Sequence, residues 1–199
     1  TDRRLIPEAE LVERVREAID GGAAIIQYRD KSSGQDRRLE QAAALAALCS
    51  ARQVPLIIND DIELAAAVNA DGVHLGIDDA SVRTARAQLG DEAIIGVSCY
   101  NRLERAVEAV AAGADYVAFG RFFASKTKPN AVTADTDLLA AARQQLRVPI
   151  VAIGGITPDN GAALIAAGAD YLAAIDGVFG QADVYTAAQS YAVLFTSKG

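Results

Sequence analysis

Gly113-Ala114-Asp115-Tyr116-Val117-Ala118-Phe119 ends one element and opens another. The glycine stops the helical pattern of residues 103–112, and the apolar run that follows is too short for a second helix. The same punctuation returns at Gly168-Ala169-Asp170, before an apolar run at 171–175, and at Asn69-Ala70-Asp71-Gly72. A shorter form, Gly21-Gly22, precedes the run 23–26. A repeated unit of helix, turn and strand is the simplest reading.

Working outward, apolar spacing predicts helices over 8–20, 37–51, 61–69, 79–89, 103–112, 137–146, 158–167 and 182–195. Strands are predicted at 23–26, 54–58, 72–75, 93–97, 116–119, 149–153 and 171–175. The two kinds alternate without exception. Continuous apolar strands imply burial on both faces, and so a parallel sheet. Eight helices and seven strands, with a helix first, fit an α/β fold of the TIM type, a (β/α)8 barrel. One domain would then cover residues 1–199, with its first strand upstream of Thr1. The absence of methionine agrees, because Thr1 is then not a translational start. A doubly wound sheet would punctuate its chain in a similar way.

With 199 residues the chain can bury one sizeable core. A net charge of -7 argues against a general nucleic-acid binder or a binder of anionic membranes. No apolar run is long enough to span a bilayer as a helix, and no secretory signal is visible. The two cysteines, Cys49 and Cys99, form no metal or disulfide framework, so a reduced, cytoplasmic chain is expected. His74 is the only histidine, which removes any two-histidine metal site. Its place in a buried strand reads as structural. Tyr116 and Tyr171 open strands at the end remote from chemistry and read as packing.

In β/α barrels the chemistry lies at the C-terminal ends of the strands. There the first strand runs on into Gln27-Tyr28-Arg29-Asp30-Lys31, whose alternation puts Gln27, Arg29 and Lys31 on one side. A bound anion explains three such groups; a structural ion pair of Arg29 is the alternative. Asn59-Asp60-Asp61 and Asp78-Asp79 end the next two strands. One acid of each pair should cap a helix and the other should face the barrel mouth. Two inward carboxylates beside anion-binding cations suit Mg²⁺, which takes one or two carboxylates plus water and phosphate oxygens. Ser98 ends the fourth strand. Gly154-Gly155 allows backbone N–H groups to approach a ligand closely, and Ile175-Asp176-Gly177 ends the last strand, the customary phosphate seat of such barrels. Residues 119–130, F-G-R-F-F-A-S-K-T-K-P-N, interleave Ser125 and Thr127 with Lys126 and Lys128 and form a basic loop in an acidic chain. This loop is expected to close over an anion, with Lys126 facing solvent.

These segments, in order and in register, resemble the thiamine phosphate synthase family over essentially the whole chain. The resemblance rests on Gln27-Tyr28-Arg29-Asp30-Lys31, Ile58-Asn59-Asp60-Asp61, Gly72-Val73-His74-Leu75-Gly76 with Asp79, Gly96-Val97-Ser98, residues 120–128, Ala152-Ile153-Gly154-Gly155-Ile156 and Gly168-Ala169-Asp170. It implies a transferase of thiamine biosynthesis that joins hydroxymethylpyrimidine diphosphate to thiazole phosphate, releasing pyrophosphate, with Mg²⁺. By position it implies that Asp60 and Asp79 hold the metal. Gln27, Arg29, Lys31, Asn59 and Lys128 would hold the diphosphate, and Ser98 would contact the pyrimidine. Ser125 and Thr127 would line the junction of the two substrates, and backbone at Gly155, Ile175 and Asp176 would hold the thiazole phosphate. Arg29, Lys31, Lys128 and Ser98 would thus carry the catalysis. Three departures stand out: Ala124-Ser125 replaces a common Pro-Thr, Arg121 replaces a common proline, and Asp176 stands where serine is frequent. A thiazole tautomerase, which needs no metal acids, and a non-catalytic phosphate-ligand sensor are the alternatives.

Overall fold

A computed structural model describes residues 1–76, 79–123 and 134–196. Seven strands lie in one sheet in chain order, every neighbouring pair parallel. They are β1 (Ile26–Tyr28), β2 (Leu56–Asn59), β3 (Gly72–Leu75), β4 (Ile94–Tyr100), β5 (Tyr116–Gly120), β6 (Ile150–Ile153) and β7 (Tyr171–Ala173). The helices are α1 (Leu11–Asp20), α2 (Gln35–Arg52), α3 (Ile62–Ala67), α4 (Val82–Leu89), α5 (Leu103–Ala111), α6 (Thr136–Gln145), α7 (Pro158–Ala166), α8 (Asp176–Phe179) and α9 (Val184–Thr196). Among the described residues β1 and β7 are the sheet's edges, so the eight-stranded closure expected from the sequence is not reached in these strands. Beside β1, the Thr1 amine donates to the Gln27 carbonyl at 2.6 Å, and Thr1 Oγ1 accepts from the Arg29 N–H at 3.0 Å. The helix layer does come round: α1 packs against both α2 and α9. Gly21 permits that contact, since a Cβ there would sit 2.4 Å from the Tyr185 carbonyl oxygen.

The main core lies between sheet and helices and includes Leu45, Leu56, Ile58, Val73, Ile95, Val117, Phe119, Leu139, Ile150 and Leu164. The opposite face of the sheet alternates with these residues, as a pleated strand requires. Through the register it carries Gln27, Ile57, Asn59, His74, Gly96, Ser98, Tyr116 and Ala118. No helix of the described residues is long and apolar enough to cross a membrane.

The recurring aspartate of the sequence has a mechanical role. Asp71 Oδ2 accepts the Leu56 N–H at 2.7 Å, Asp115 Oδ2 that of Ile95 at 2.7 Å, and Asp170 Oδ2 that of Ile150 at 2.8 Å. In each case a carboxylate at the foot of one strand takes a donor at the foot of the strand before it. Two of the three are gripped by arginines from the helix layer. Arg86 of α4 reaches Asp115 at 2.7 Å and also donates to the carbonyls of Asp91 and Ala93, and Arg143 of α6 pairs with Asp170.

Most boundaries shift by one to three residues from the expectations, and four of the departures are informative. The first strand starts at Ile26, not at 23, because the Ala23 N–H closes the end of α1 on the Ala18 carbonyl. Helix α4 starts at Val82, not at 79, because Ser81 is its cap and accepts the Thr84 N–H. The expected last helix begins at Val184, and the four-residue α8 precedes it. β4 runs on to Tyr100 through an irregularity after Ser98.

Asp115→Ala should remove about 1–3 kcal/mol of stability, the usual cost of stranding a shielded backbone donor. Asp115→Asn, which keeps an acceptor oxygen but loses the arginine's charge partner, should cost less. Urea denaturation of the two variants measures both.

Candidate active site

The strands deliver their polar groups to one end of the sheet. Lys31 Nζ lies 2.7 Å from Asp60 Oδ2, and Arg29, Lys31, Asn59 and Asp60 line an open cleft of about 380 Å³. Among the described residues Arg29 makes no ion pair, so the structural alternative for it is not realised there. The turn after β1 is held by Asp30, whose carboxylate accepts the N–H and hydroxyl of both Ser32 and Ser33. Burial would raise the pKa of Asp30, but the bonds from the two serines outweigh it and bring it down to about 2. A fixed, ionised Asp30 therefore anchors the segment that carries Arg29 and Lys31.

Asp60 and Asp61 divide their tasks as expected. Asp61 caps α3 by accepting the Leu64 N–H at 2.9 Å and also pairs with Arg38 of α2. Asp60 has φ 65°, the left-handed region that aspartate tolerates better than most residues. Its N–H donates to the His74 carbonyl at 2.9 Å, which keeps the bend against the end of β3. The bend brings its carboxyl within hydrogen-bond reach of Asp79. Burial, and then the Asp60 carboxyl, raise the pKa of Asp79, against the lowering effects of the Gly76 N–H and Lys31. Two acids from adjacent strand ends are thus aimed at each other, with one lysine as a counter-charge. The described residues contain no group of three or more His, Cys, Asp or Glu side chains able to hold a metal. A hard cation that keeps its waters needs only two carboxylates. The Asp60–Asp79 approach fits such an ion, which would relieve the repulsion between them. Asp78 lies outside the described residues.

Below this acid pair a polar chain crosses the inner face of the sheet. His74 Nδ1 lies 2.8 Å from the Tyr116 hydroxyl, and His74 Nε2 lies 2.8 Å from Ser98 Oγ. The two rings stack at a centroid distance of 5.6 Å. The Gln27 side chain acts on the Tyr116 phenol, opposing the rise in its pKa that burial causes. Burial lowers the His74 pKa to about 4, so the ring is neutral. Tyr116 is therefore more than packing. Gly96 makes room for it, since a Cβ there would fall 1.9 Å from the ring. The sequence signal was available in outline: a glycine stands opposite the tyrosine, but only the register reveals it.

Arg105 of α5 was not singled out from the sequence. Its guanidinium donates to the carbonyls of Ser98 at 2.8 Å and Gly76 at 3.0 Å, tying together the ends of β4 and β3. At the far side of the sheet, Gly154 and Gly155 adopt φ of 103° and 66° after β6. Asn160 donates to the Gly155 carbonyl, and the Ile156 carbonyl accepts from Tyr191 at 2.8 Å. Ile175 is the N-cap of α8 and Asp176 its first residue, so the first N–H groups there lack intrahelical acceptors. The Asp176 carboxyl lies toward Gly180, one turn on, where a Cβ would come within 2.7 Å of Oδ1. Ser125, Thr127 and Lys128 lie outside the described residues.

A family model described as thiamine monophosphate synthase matches residues 1–178. The thiamine-phosphate synthase of Nitrosococcus oceani is 53% identical over 196 residues, covering 98% of this chain and 90% of its own. That of Azoarcus sp. is 54% identical over 187 residues, covering 94% and 91%. Among solved structures, thiamine phosphate pyrophosphorylase from Pyrococcus furiosus superposes with a TM-score of 0.88 at 36% identity, covering 98% of this chain and 92% of that one. A 3-hexulose-6-phosphate synthase at 21% identity and TM-score 0.69 shares the fold. By sequence along nearly its whole length and by its parallel architecture, the chain belongs to the thiamine monophosphate synthase family.

Proposed function

We propose that this chain couples hydroxymethylpyrimidine diphosphate to thiazole phosphate, giving thiamine phosphate and pyrophosphate, with Mg²⁺. The observation that carries the reading is the approach of Asp60 and Asp79 beside Lys31, in a family whose relatives are named for that synthesis. In this reading residues 1–199 form a single β/α-barrel domain completed by an eighth strand next to β1. Buried, unpaired Cys49 and Cys99 suit a cytoplasmic setting.

Asp60 and Asp79 would hold Mg²⁺, which when bound supplies positive charge to the leaving diphosphate. Gln27, Arg29, Lys31, Asn59 and Lys128 would grip the same diphosphate. Arg29 and Lys31 stand at the cleft before the bond breaks, and such preorganised charge is the most effective form of electrostatic stabilisation. The reaction is dissociative: the methylene–oxygen bond breaks, the aminopyrimidine supports the cation, and the thiazole nitrogen supplies the electron pair that closes the new bond. Ser98 would seat the pyrimidine, and Ser125 and Thr127 would line the junction. N–H groups at Gly155, Ile175 and Asp176 would tether the thiazole phosphate, with the Asp176 carboxyl turned aside toward Gly180. Proximity does the remainder, and no protein nucleophile is required. A thiazole tautomerase would have no use for the two acids and their lysine.

Mixing both substrates with and without Mg²⁺ and looking for thiamine phosphate by mass spectrometry tests the activity directly. Asp60→Asn should cut coupling by about a hundred-fold or more and abolish any rise in melting temperature caused by Mg²⁺. Lys128→Ala should lose about a hundred-fold in kcat; turnover within a few-fold of wild type would remove its charge-stabilising role. Asp79 supplies a pH test. Its pKa is raised in the fold, so without metal stability should fall as pH climbs from the unfolded carboxylate value through the folded one. Asp79→Asn should melt higher than wild type at neutral pH in EDTA and should lose that part of the pH dependence.

A further inference from the structure

The chain Gln27, Tyr116, His74, Ser98 joins the first, fifth, third and fourth strands across the inner face of the sheet. Every link is a side chain with a limited number of protons, so their directions can be worked out. The Gln27 side chain opposes the rise that burial imposes on the Tyr116 pKa, as an amide N–H turned toward the phenol oxygen would. The phenol keeps one proton, and the acceptor within reach is His74 Nδ1 at 2.8 Å. A neutral imidazole that accepts at Nδ1 carries its proton at Nε2. That N–H points at Ser98 Oγ, also 2.8 Å away. Ser98 has then received a hydrogen bond, and its own proton must go elsewhere. Its register partner on β5 is Ala118, which has no polar side-chain atom. The open direction is the cavity.

We propose that Gln27, Tyr116 and His74 are positioning residues that fix Ser98 as a hydrogen-bond donor toward an acceptor atom of the bound heterocycle, such as an unprotonated ring nitrogen. This rests on the reading of the site as a pyrimidine seat. It gives the one histidine a directional role without any change of charge. It also explains why a tyrosine at the foot of β5 bears on the site: stacked on His74, it reaches the imidazole over the space left by Gly96. Reversal of the chain, with the Tyr116 proton on the Gln27 oxygen, would place the imidazole proton at Nδ1 and make Ser98 an acceptor.

The single histidine makes the test direct, since nitrogen NMR of the isotopically labelled wild-type chain reports this ring alone. The expected result is one neutral tautomer protonated at Nε2; protonation at Nδ1 overturns the proposal. Tyr116→Phe keeps the ring beside Gly96 and removes the donor. It should mix the two tautomers and lower kcat/KM about three- to ten-fold, the worth of one hydrogen bond, mainly through KM for the pyrimidine substrate. In a Ser98→Ala background the same change should cost nothing further, whereas an additive loss overturns the relay. His74→Gln, whose amide nitrogen falls near Nε2, should retain more activity than His74→Asn; the reverse order counts against the assigned direction. A wild-type chain that does not couple the two substrates would overturn the functional reading, while the tautomer decides the relay by itself.

Discussion

A carboxylate at the foot of one strand takes an N–H at the foot of the strand before it, and the placement of the functional groups follows from that bond. Asp71, Asp115 and Asp170 each make it. Because side chains alternate along a strand, a slip of one residue would exchange its two faces. Asn59, His74 and Ser98 would then point into the helix layer, and Ile58, Val73 and Val97 into the cleft. The pins sit at the end of the sheet opposite the cleft, so register is set where nothing has to bind. Arg86 and Arg143 extend the same fixing to the helices.

At the cleft end the electrostatics are arranged differently. The chain is acidic overall, yet Arg29 and Lys31 stand together here, beside acids most of which are committed to other partners or set against each other. Asp30 is committed to Ser32 and Ser33, and Asp61 to the start of α3 and to Arg38. Asp60 and Asp79 are left facing one another. A fold keeps such a pair only when surrounding contacts hold it in place, and here the left-handed bend at Asp60 and the Gly76 N–H do so. Arg105 ties the two strand ends that carry Asp79 and Ser98.

Much of this could be read from the chain, for identifiable reasons. Strand β3 matches its predicted bounds because glycine and aspartate mark its start so sharply. The division between Asp60 and Asp61 was legible because a helix start needs one acceptor and an adjacent acid is then spare. The same rule misplaced the start of α4: Asp79 was spent on Gly76, and Ser81 did the capping. The first strand was misplaced because Ala23 is used in ending α1, a bond invisible in the apolar pattern. Four residues of α8 are too few to show a period. Tyr116 was misjudged because its reach depends on Gly96, a neighbour only in the folded sheet. Arg105 acts on backbone carbonyls, and nothing in a sequence says which carbonyls will come near an arginine.

The polar floor beneath the acid pair has a consequence for selectivity between reaction partners. Both nitrogens of His74 and the oxygen of Tyr116 are engaged with one another and with Gln27 and Ser98. A buried water persists where two to four polar partners await it. His74 and Tyr116 have already spent their partners, Ala118 and Gly96 beside them offer none, and the Ser98 proton is the one donor left, taken by the bound ring rather than by water. Any short-lived electrophile formed above it would therefore find its competitor nucleophile, water, poorly housed from below, and the second substrate would have the advantage.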